Sequence, residues 1–346
     1  MTPLQRGFDT QRGYYNAEND YYTHMEGDGY DWHVDDEPAF HQNGTFSDWL
    51  LRDAAVAFLR QRAAEAQRQP QAQHTQPWFL YLPMQAVHAP LQVPASYEKL
   101  YSHIKDEKKR TKAGMLTALD DALGAVLSVV NASTALRNNT VTLFLCDNGA
   151  PDNYGGSNKP YRGWKHQLYE GGIRTPAIVH AANPVLLPPA RRGTTHGGWF
   201  HVSDWLPTFV RIAGGSTARN KPLDGFDVWP AIAGGVETPR QELFHCDVDR
   251  TVSKTSMKGP YAALRVGDLK LLQHPNGTNE VYNVTEDAAE ARNLLPALPS
   301  ALLTHLLARL AWHRNDSVPG WRSDATCLPK LGPVQRNGSL VWMPTC

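Results

Sequence analysis

The sequence has no excess of charge of either sign. Among its 346 residues, 34 Lys and Arg balance 34 Asp and Glu, and the pI is near 7.2. A neutral chain produces no overall field that would attract nucleic acid or an anionic membrane surface. We therefore predict that the partners of this protein do not include nucleic acid.

Long apolar runs are also missing. No stretch of 18 apolar residues occurs, although a membrane-spanning helix needs about that length. The first ten residues, MTPLQRGFDT, contain no apolar core of the kind that a signal peptide has. We expect neither a membrane span nor a signal peptide in this chain.

Cysteine is scarce, and its spacing does not suit a metal site. The four cysteines are Cys146, Cys246, Cys327 and Cys346. Cys146 ends an apolar run, where a buried free thiol is the usual state. A disulfide between Cys327 and Cys346 would close a tail loop and stabilise it by roughly 3 kcal/mol, but the sequence leaves the pairing open.

Asn-x-Ser/Thr sequences, by contrast, are abundant. They are acceptors of N-linked glycans in proteins of the secretory route, so we predict a lysosomal or extracellular glycoprotein. The seven predicted sites are Asn43, Asn131, Asn138, Asn276, Asn283, Asn315 and Asn337.

The most informative stretch is VTLFLCDNGAPDNYGGSNKPYRGWKHQLYEGGIRTP, residues 141–176. It begins as an apolar strand and continues as a long loop rich in Gly, Asn and Pro. Asp147 and Asn148 stand at the strand's end, where α/β sheets bind ligands, and both offer oxygen ligands for Ca²⁺ or Mg²⁺. Basic residues follow them, a pattern that suits a sulfate or phosphate ester: Lys159, Arg162, Lys165 and Arg174. On local features alone, the favoured interpretation of Asp147-Asn148-Gly149 is an ordinary turn beside a solvated basic face.

The motif DNGA....GG.N.P.RG.K....EGG.R.P resembles the metal-and-anion loop of the type I sulfatases, most closely the arylsulfatase B group. RGFD at residues 6–9 and HVSDWLPT followed by LDGFD, between residues 201 and 227, resemble further blocks of the same family. The resemblance runs from about residue 3 to residue 315.

His88 has two interpretations. It lies in QAVHAP, just after the predicted buried strand Trp78–Leu82. A histidine at the end of a strand is more often structural than catalytic. The segment resembles the sulfatase pattern S-V-H-x-P, however, and that resemblance implies a contact with the sulfate ester.

The resemblance implies an α/β, alkaline-phosphatase-like sulfatase fold that is incomplete at its N terminus. We expect a large mixed sheet flanked by helices, followed by a small antiparallel sheet and a helix. The predicted domains are a catalytic domain at 1–240, a C-terminal subdomain at 241–315 and a surface tail at 316–346.

Hydrophobic patterns predict the individual elements. Helices are expected at 45–69, 107–131, 200–214 and 302–312, and buried strands at 141–145 and 177–180. The small sheet is expected to use 261–265, 269–272 and 280–283. We predict surface or structural roles for Asp120 with Asp121 and for His201 with Asp204.

The resemblance also implies the chemistry of a sulfuric ester hydrolase that acts on glycan sulfates. Type I sulfatases use a formylglycine, made from the Cys of C-x-P-x-R, as nucleophile on sulfur. By resemblance, Asp147 and Asn148 would be ligands of Ca²⁺, with Mg²⁺ as the alternative. Lys165 would contact the sulfate and leaving group, and His88 would be a second contact or a proton donor.

The departures from the family pattern are large. No C-x-P-x-R occurs in the 346 residues, and the paired Asp residues that open the family's first strand would lie before Met1. We therefore expect a longer natural chain, no turnover by this chain alone, and unpaired apolar surface that favours aggregation. The alternatives are a non-catalytic, truncated sulfatase-like glycoprotein and a phosphodiesterase or phosphonate hydrolase of the same superfamily.

Overall fold

A computed structural model describes residues 2–68, 77–219, 221–246, 259–317, 333–336 and 338–343. The chain divides into two compact units. Unit one comprises Met1–Arg137, Asn153–Gly156 and Ser323–Cys346, and unit two comprises Asn138–Asp152 and Ser157–Arg322. The predicted boundaries near residues 240 and 315 stay a prediction, as does the Cys327–Cys346 pairing, which lies outside the described residues.

Five short strands precede the first of the described α-helices, and four helices follow before the next strand. The helices are α1 (Ser47–Arg68), α2 (Ala95–Lys99), α3 (Glu107–Ala132), α4 (Thr134–Asn138), α5 (Glu170–Ile173), α6 (Trp205–Ile212), α7 (Trp229–Gly234) and α8 (Ser300–Asp316). The strands of unit one are β1 (Arg12–Gly13), β2 (Met25–Glu26), β3 (Gly29–Tyr30), β4 (His33–Val34), β5 (Glu37–Pro38), β12 (Val334–Arg336) and β13 (Ser339–Val341). The strands of unit two are β6 (Thr142–Leu145), β7 (Ala177–His180), β8 (Glu242–Cys246), β9 (Ala262–Val266), β10 (Leu269–Gln273) and β11 (Asn279–Asn283).

The core of unit one is the pair of long helices α1 and α3. Each buries a stripe of small and apolar side chains at helical spacing, including Leu51 and Leu59 of α1 and Met115 and Ala118 of α3. The carboxylate of Asp106 caps α3 by accepting a hydrogen bond from Lys109 N at 3.1 Å. Both predicted helices are confirmed.

By length and composition alone, α3 is also apolar enough to cross a membrane. No other helix of the described chain passes that test. The core helix of a globular domain meets the same criterion, and α3 packs against α1 and α2. Asp120 and Asp121 of α3 are exposed, as predicted.

Two predictions for unit one are corrected. Residues 77–82 form no strand ladder with any described segment, and Phe79 and Tyr81 are 57% and 68% exposed. An apolar run becomes a buried strand only where a partner strand satisfies its backbone groups. The predicted surface tail, in turn, contributes β12 and β13. Val341 of β13 is fully buried and pairs with Tyr30 of β3.

Strands β6 and β7 form a two-stranded antiparallel sheet in unit two, with Thr142 opposite His180. Both were expected to be buried, but Ile178 is 60% and Leu145 37% exposed. No further described strand pairs with this sheet. The expectation of unpaired apolar surface therefore agrees with the structure of β6 and β7.

The small C-terminal sheet has the strand order β11-β10-β9-β8 and is antiparallel throughout. One face packs Leu264 and Leu271 against Leu306 and Leu310 of α8. The other face carries Leu272 and Tyr282, which pack against Tyr169. The sheet therefore lies between α8 and the segment around residue 169. The predicted strands and helix are confirmed, and β8 is an additional strand.

His201 and Asp204 have structural roles, as predicted. Asp204 Oδ2 accepts a hydrogen bond from His201 N at 2.7 Å, and His201 Nδ1 accepts one from Ser203 N at 3.3 Å. Asp204 also accepts a hydrogen bond from Phe226 N at 2.9 Å and pairs with Arg240. Buried Asp204 thus fixes the start of α6 and the LDGFD segment.

Candidate active site

The candidate metal ligands lie directly after β6. Asp147 is exposed and Asn148 half-buried. Asp147 Oδ1 accepts a hydrogen bond from Asn148 N at 2.7 Å, and Asn148 Nδ2 donates to Gly149 O at 2.9 Å. This arrangement fixes both side chains in a tight turn. No described residue donates a hydrogen bond to the remaining oxygens, Asp147 Oδ2 and Asn148 Oδ1.

These two oxygens are of the type that a hard divalent cation prefers, but two ligands are too few to complete its coordination shell. Ca²⁺ takes about six to eight oxygen ligands and Mg²⁺ about six. Within the described ranges, no group of three or more His, Cys, Asp or Glu side chains is placed to hold a metal. The turn therefore offers part of a coordination shell.

Cys146, which precedes the turn, is a free cysteine, as predicted. Burial, and then the nearby charge of Asp147, raises the pKa of its thiol. A raised pKa keeps the sulfur protonated near neutral pH, and the thiolate is the nucleophilic form. Cys146 is therefore not an activated nucleophile.

Three glycines clamp the turn to the rest of the loop. Gly149 N donates to Gly172 O at 2.9 Å, and Gly171 N donates to Arg162 O at 2.7 Å. A Cβ atom on Gly149 would clash with the carbonyl oxygen of Gly171, and one on Gly172 would clash with that of Gln167. The close backbone approach explains why the EGG sequence suits this position.

Lys165 is brought to the same turn through backbone contacts. Its N–H donates to Ala150 O at 3.1 Å. Asn158 braces the same carbonyl, because its Nδ2 donates to Ala150 O at 2.9 Å and its Oδ1 accepts from Ala150 N at 2.8 Å. The structure thus places the backbone of Lys165 beside the residues that follow Asp147 and Asn148.

Two of the four predicted basic residues pair with acidic side chains. Arg162 Nη1 donates to Tyr282 OH at 2.9 Å and lies 3.7 Å from Glu280. Arg174 Nη1 lies 3.7 Å from Glu170. Both arginines are therefore neutralised by acidic residues of unit two, while Lys159 is exposed. Lys165 is the predicted basic residue whose backbone N–H bonds to Ala150, directly after the turn.

A buried ion cluster anchors the loop to the C-terminal sheet. Lys270 Nζ of β10 lies 2.8 Å from Glu170 Oε1 and 2.9 Å from Glu290 Oε1. Glu290 Oε2 also accepts a hydrogen bond from Glu170 N at 2.7 Å. Burial raises the pKa of Glu290, and the Lys270 charge opposes that shift. Glu170 opens the EGG segment, so this cluster sets where the glycine clamp lies.

His88 belongs to unit one, whereas the other three predicted site residues belong to unit two. Its ring is 39% exposed and lies 3.7 Å from Glu18 Oε2. The ring nitrogen Nδ1 is 2.9 Å from Ala89 O, and the His88 carbonyl accepts a hydrogen bond from Tyr21 OH at 3.0 Å. The histidine is therefore held in a defined position within its own unit.

The segment before His88 is fixed by Asp48 of α1. Asp48 accepts hydrogen bonds from Gln85 N at 3.0 Å and Ala86 N at 3.2 Å. Burial raises the pKa of Asp48 to about 6, although these two bonds oppose the rise. A single buried carboxylate thus ties the His88 segment to α1.

Sequence reasoning missed three supports of the site: Asn158, Lys270 and Glu290. The Asn of GGSNKP carried a signal, since asparagine in a Gly-rich loop often satisfies backbone groups. The sequence carried no signal that Lys270 is buried, because a lysine in an alternating strand is typical of a solvent-facing position.

Comparison with known proteins agrees with the family motifs. The sulfatase family model matches residues 3–215. Arylsulfatase J of Mus musculus is 35% identical over 369 residues, an alignment that covers 92% of this chain and 58% of the relative. Arylsulfatase A of Homo sapiens is 33% identical over 269 residues, covering 75% of this chain and 47% of the relative. Among solved structures, Ps i-CgsB in complex with k-i-k-neocarrahexaose has a TM-score of 0.77 and 22% identity, covering 94% of this chain and 70% of that one.

The chain belongs to the sulfatase family. The structural likeness to Ps i-CgsB shows the fold, so the predicted α/β sulfatase fold of the alkaline-phosphatase-like class is confirmed. Members of this family typically bind a divalent metal. The chain spans 58% and 47% of the two curated relatives described above.

Proposed function

We propose that this protein hydrolyses sulfuric esters of glycans, with residues 147–176 forming the sulfate-facing loop. The observation that supports the proposal best is the convergence of two sequence segments. Lys165 N bonds to Ala150 O at 3.1 Å, and Gly149 N bonds to Gly172 O at 2.9 Å. These backbone bonds join the segment that carries Asp147 and Asn148 to the segment that carries Lys165, which supports a shared role for the three residues.

In this proposal, Asp147 and Asn148 supply two ligands of the divalent cation. Ca²⁺ is the preferred ion and Mg²⁺ the alternative, because both take oxygen ligands. When bound, the cation withdraws charge from the ester oxygens. The turn holds the two side chains in place before the cation binds, so little ordering is needed at that moment.

Lys165 contacts the sulfate oxygens and stabilises the negative charge that develops on the leaving oxygen. His88 is the second contact or the proton donor to that oxygen. The glycine clamp and the buried Lys270 cluster hold the Lys165 loop rigid. Such rigidity matters because a fixed charge stabilises a transition state better than one that must first be oriented.

Sulfated glycans are the proposed substrate class, since a fold neighbour was solved with k-i-k-neocarrahexaose. The sequons support a glycoprotein of the lysosome or the extracellular space. Among the six sequons that the structure describes, those at Asn43, Asn131, Asn138, Asn276 and Asn315 are exposed and Asn283 is half-buried. Asn337 lies outside the described residues.

The 346 residues contain no C-x-P-x-R, so we expect this chain alone to bind sulfate esters without hydrolysing them. Calorimetric titration with a sulfated monosaccharide, in the presence of Ca²⁺ and then of a chelator, tests the binding. We expect cation-dependent binding that Asp147→Asn and Lys165→Met abolish. Lys159→Met, at an exposed position of the same loop, is the matched control and should bind normally.

A parallel assay of aryl sulfate hydrolysis tests the expectation that this chain alone does not cleave the ester. Cation-independent binding, or equal binding of the unsulfated sugar, would contradict the proposed site. Robust hydrolysis by the pure chain would show that another nucleophile is present. Hydrolysis of a phosphodiester, without binding of the sulfated sugar, would favour the phosphodiesterase alternative.

A further inference from the structure

A separate pocket of about 350 Å³ lies within unit two, between the site loop and the C-terminal sheet. The loop contributes Arg162, Trp164 and Tyr169, and the sheet contributes His274 and Glu280. Trp164 immediately precedes Lys165, the proposed sulfate contact. The volume lies near the lower end of the range for ligand pockets, which is about 300–1,000 Å³.

The charges within this pocket compensate one another. Glu280 Oε2 accepts hydrogen bonds from Tyr169 OH at 2.9 Å and Tyr282 OH at 3.0 Å. The Arg162 guanidinium lies 4.0 Å from the centre of the Tyr169 ring and 3.7 Å from Glu280. A compensated carboxylate–guanidinium pair has little attraction for a second anion. The pocket therefore suits a neutral, hydroxyl-rich group.

His274 and Glu280 form a polar side of the pocket. His274 Nε2 is buried and has no hydrogen-bond partner among the residues that the structure describes. It lies 3.2 Å from Glu280 Oε1 without hydrogen-bonding geometry. The imidazole nitrogen is closed to solvent, but the Glu280 side chain is 21% exposed, so its carboxylate is the group that accepts a hydrogen bond from a ligand hydroxyl.

Trp164 supplies the apolar surface. It is 38% exposed. An indole ring offers a flat apolar face together with one N–H donor. A pyranose ring matches this combination, because its C–H groups cover one face and its hydroxyls lie at the edge.

We propose that the pocket binds an unsulfated pyranose unit that adjoins the sulfated unit of the glycan. The inference rests on the proposed function, since Lys165 marks the position of the sulfate. Trp164 stacks on the sugar ring, and the Glu280 carboxylate accepts a hydrogen bond from one of its hydroxyls. The site thus selects sulfated oligosaccharides over sulfated monosaccharides.

The test compares three probes by calorimetry and saturation-transfer NMR: lactose sulfated on its galactose unit, sulfated galactose, and lactose. With the 346-residue chain and Ca²⁺, sulfated lactose should bind up to about tenfold more tightly than sulfated galactose, the upper range for one aromatic contact. Trp164→Ala should remove that difference and leave sulfated galactose unaffected. Trp164→Phe, which keeps an aromatic face, should retain most of it.

Trp312→Ala is the control, because Trp312 is 52% exposed on α8 and does not line the pocket. It should change neither affinity. Equal affinities for the two sulfated probes in the unmodified chain would overturn the proposal. The proposal would also be overturned if Trp164→Ala weakened the binding of sulfated lactose and of sulfated galactose equally. Trp164 would then act only through its neighbour Lys165.

Failure of the proposed function gives a different result. If neither sulfated probe binds the unmodified chain, the proposed sulfate site is contradicted. The binding of unsulfated lactose then tests the pocket by itself. A lactose signal that Trp164→Ala removes would support the pocket, and no lactose signal at millimolar concentration would overturn it.

Discussion

Lys270 Nζ lies 2.8 Å from Glu170 Oε1, although the two residues are 100 positions apart in the sequence. Both side chains are almost fully buried, and Glu290 completes the cluster at 2.9 Å from the same ammonium group. Because Glu170 begins the EGG segment, this contact joins the C-terminal sheet to the loop that carries Lys165. The small C-terminal sheet therefore helps to shape the candidate site.

Lys270→Met should destabilise unit two strongly. The change leaves two buried carboxylates without their cation, and breaking a buried ion pair in this way costs about 3–5 kcal/mol. Urea unfolding followed by circular dichroism measures the loss. Lys109→Met is the matched control, because Lys109 lies 3.9 Å from Asp106 and its side chain is 61% exposed. It should change the free energy of unfolding by less than about 0.5 kcal/mol. Similar losses for both variants would show that the buried cluster has no special role.

Two glycine substitutions should have opposite effects on the stability of the chain. Gly149→Ala places a methyl group against the Gly171 carbonyl, so we expect a loss of about 1–3 kcal/mol together with loss of cation binding. Gly124 lies in α3 with no atom within 4 Å of the added methyl group. Gly124→Ala should stabilise the chain by roughly 0.5–1 kcal/mol. Thermal unfolding distinguishes them, and an unaffected Gly149→Ala variant would refute the clamp.

The long helices were predictable because their patterns are local. The apolar stripes of α1, α3 and α8 repeat within each helix, so a single window of sequence contains the signal. The strands β9, β10 and β11 follow one another directly, and short turns set their pairing. The signal therefore lies within each helix, and for these three strands it lies between immediate neighbours in the sequence.

Long-range features were not predictable in this way. The run at 77–82 has the composition of a buried strand, yet whether it is buried depends on a partner from elsewhere. Lys270 has the pattern of a surface residue, and only the distant Glu170 and Glu290 explain its burial. The roles of His88 and Lys165 came from family resemblance, because neither residue has a local pattern that distinguishes catalysis from structure.

Ile178→Lys should make the chain less prone to aggregate. Ile178 is 60% exposed on β7, and exposed apolar strands promote association between chains. A charge there should raise the aggregation temperature in light scattering and leave the unfolding transition almost unchanged. Val236→Lys is the control, since Val236 is 54% exposed but belongs to no strand. An equal benefit from both variants would mean that net charge, and not the strand, is responsible.

Asp48 should make stability fall as pH rises through its folded pKa. Burial raises the pKa of Asp48 to about 6, above its ordinary value of 3.8. Between those two values, the folded state holds a proton that the unfolded state has lost, so folding is favoured at the acidic end. Asp48→Asn removes the titration and keeps one acceptor oxygen for Gln85 N or Ala86 N.

The free energy of unfolding of the unmodified chain, relative to Asp48→Asn, should therefore decrease by roughly 3 kcal/mol between pH of about 3.5 and 6.5. Urea unfolding at a series of pH values measures this difference, and other titrating groups cancel because they occur in both proteins. Asp53→Asn, an exposed change in the same helix, controls for the composition of α1. A difference that stays constant, or that increases with pH, would show that Asp48 is not buried as a neutral acid. In that case the charged carboxylate would be the form that holds the His88 segment.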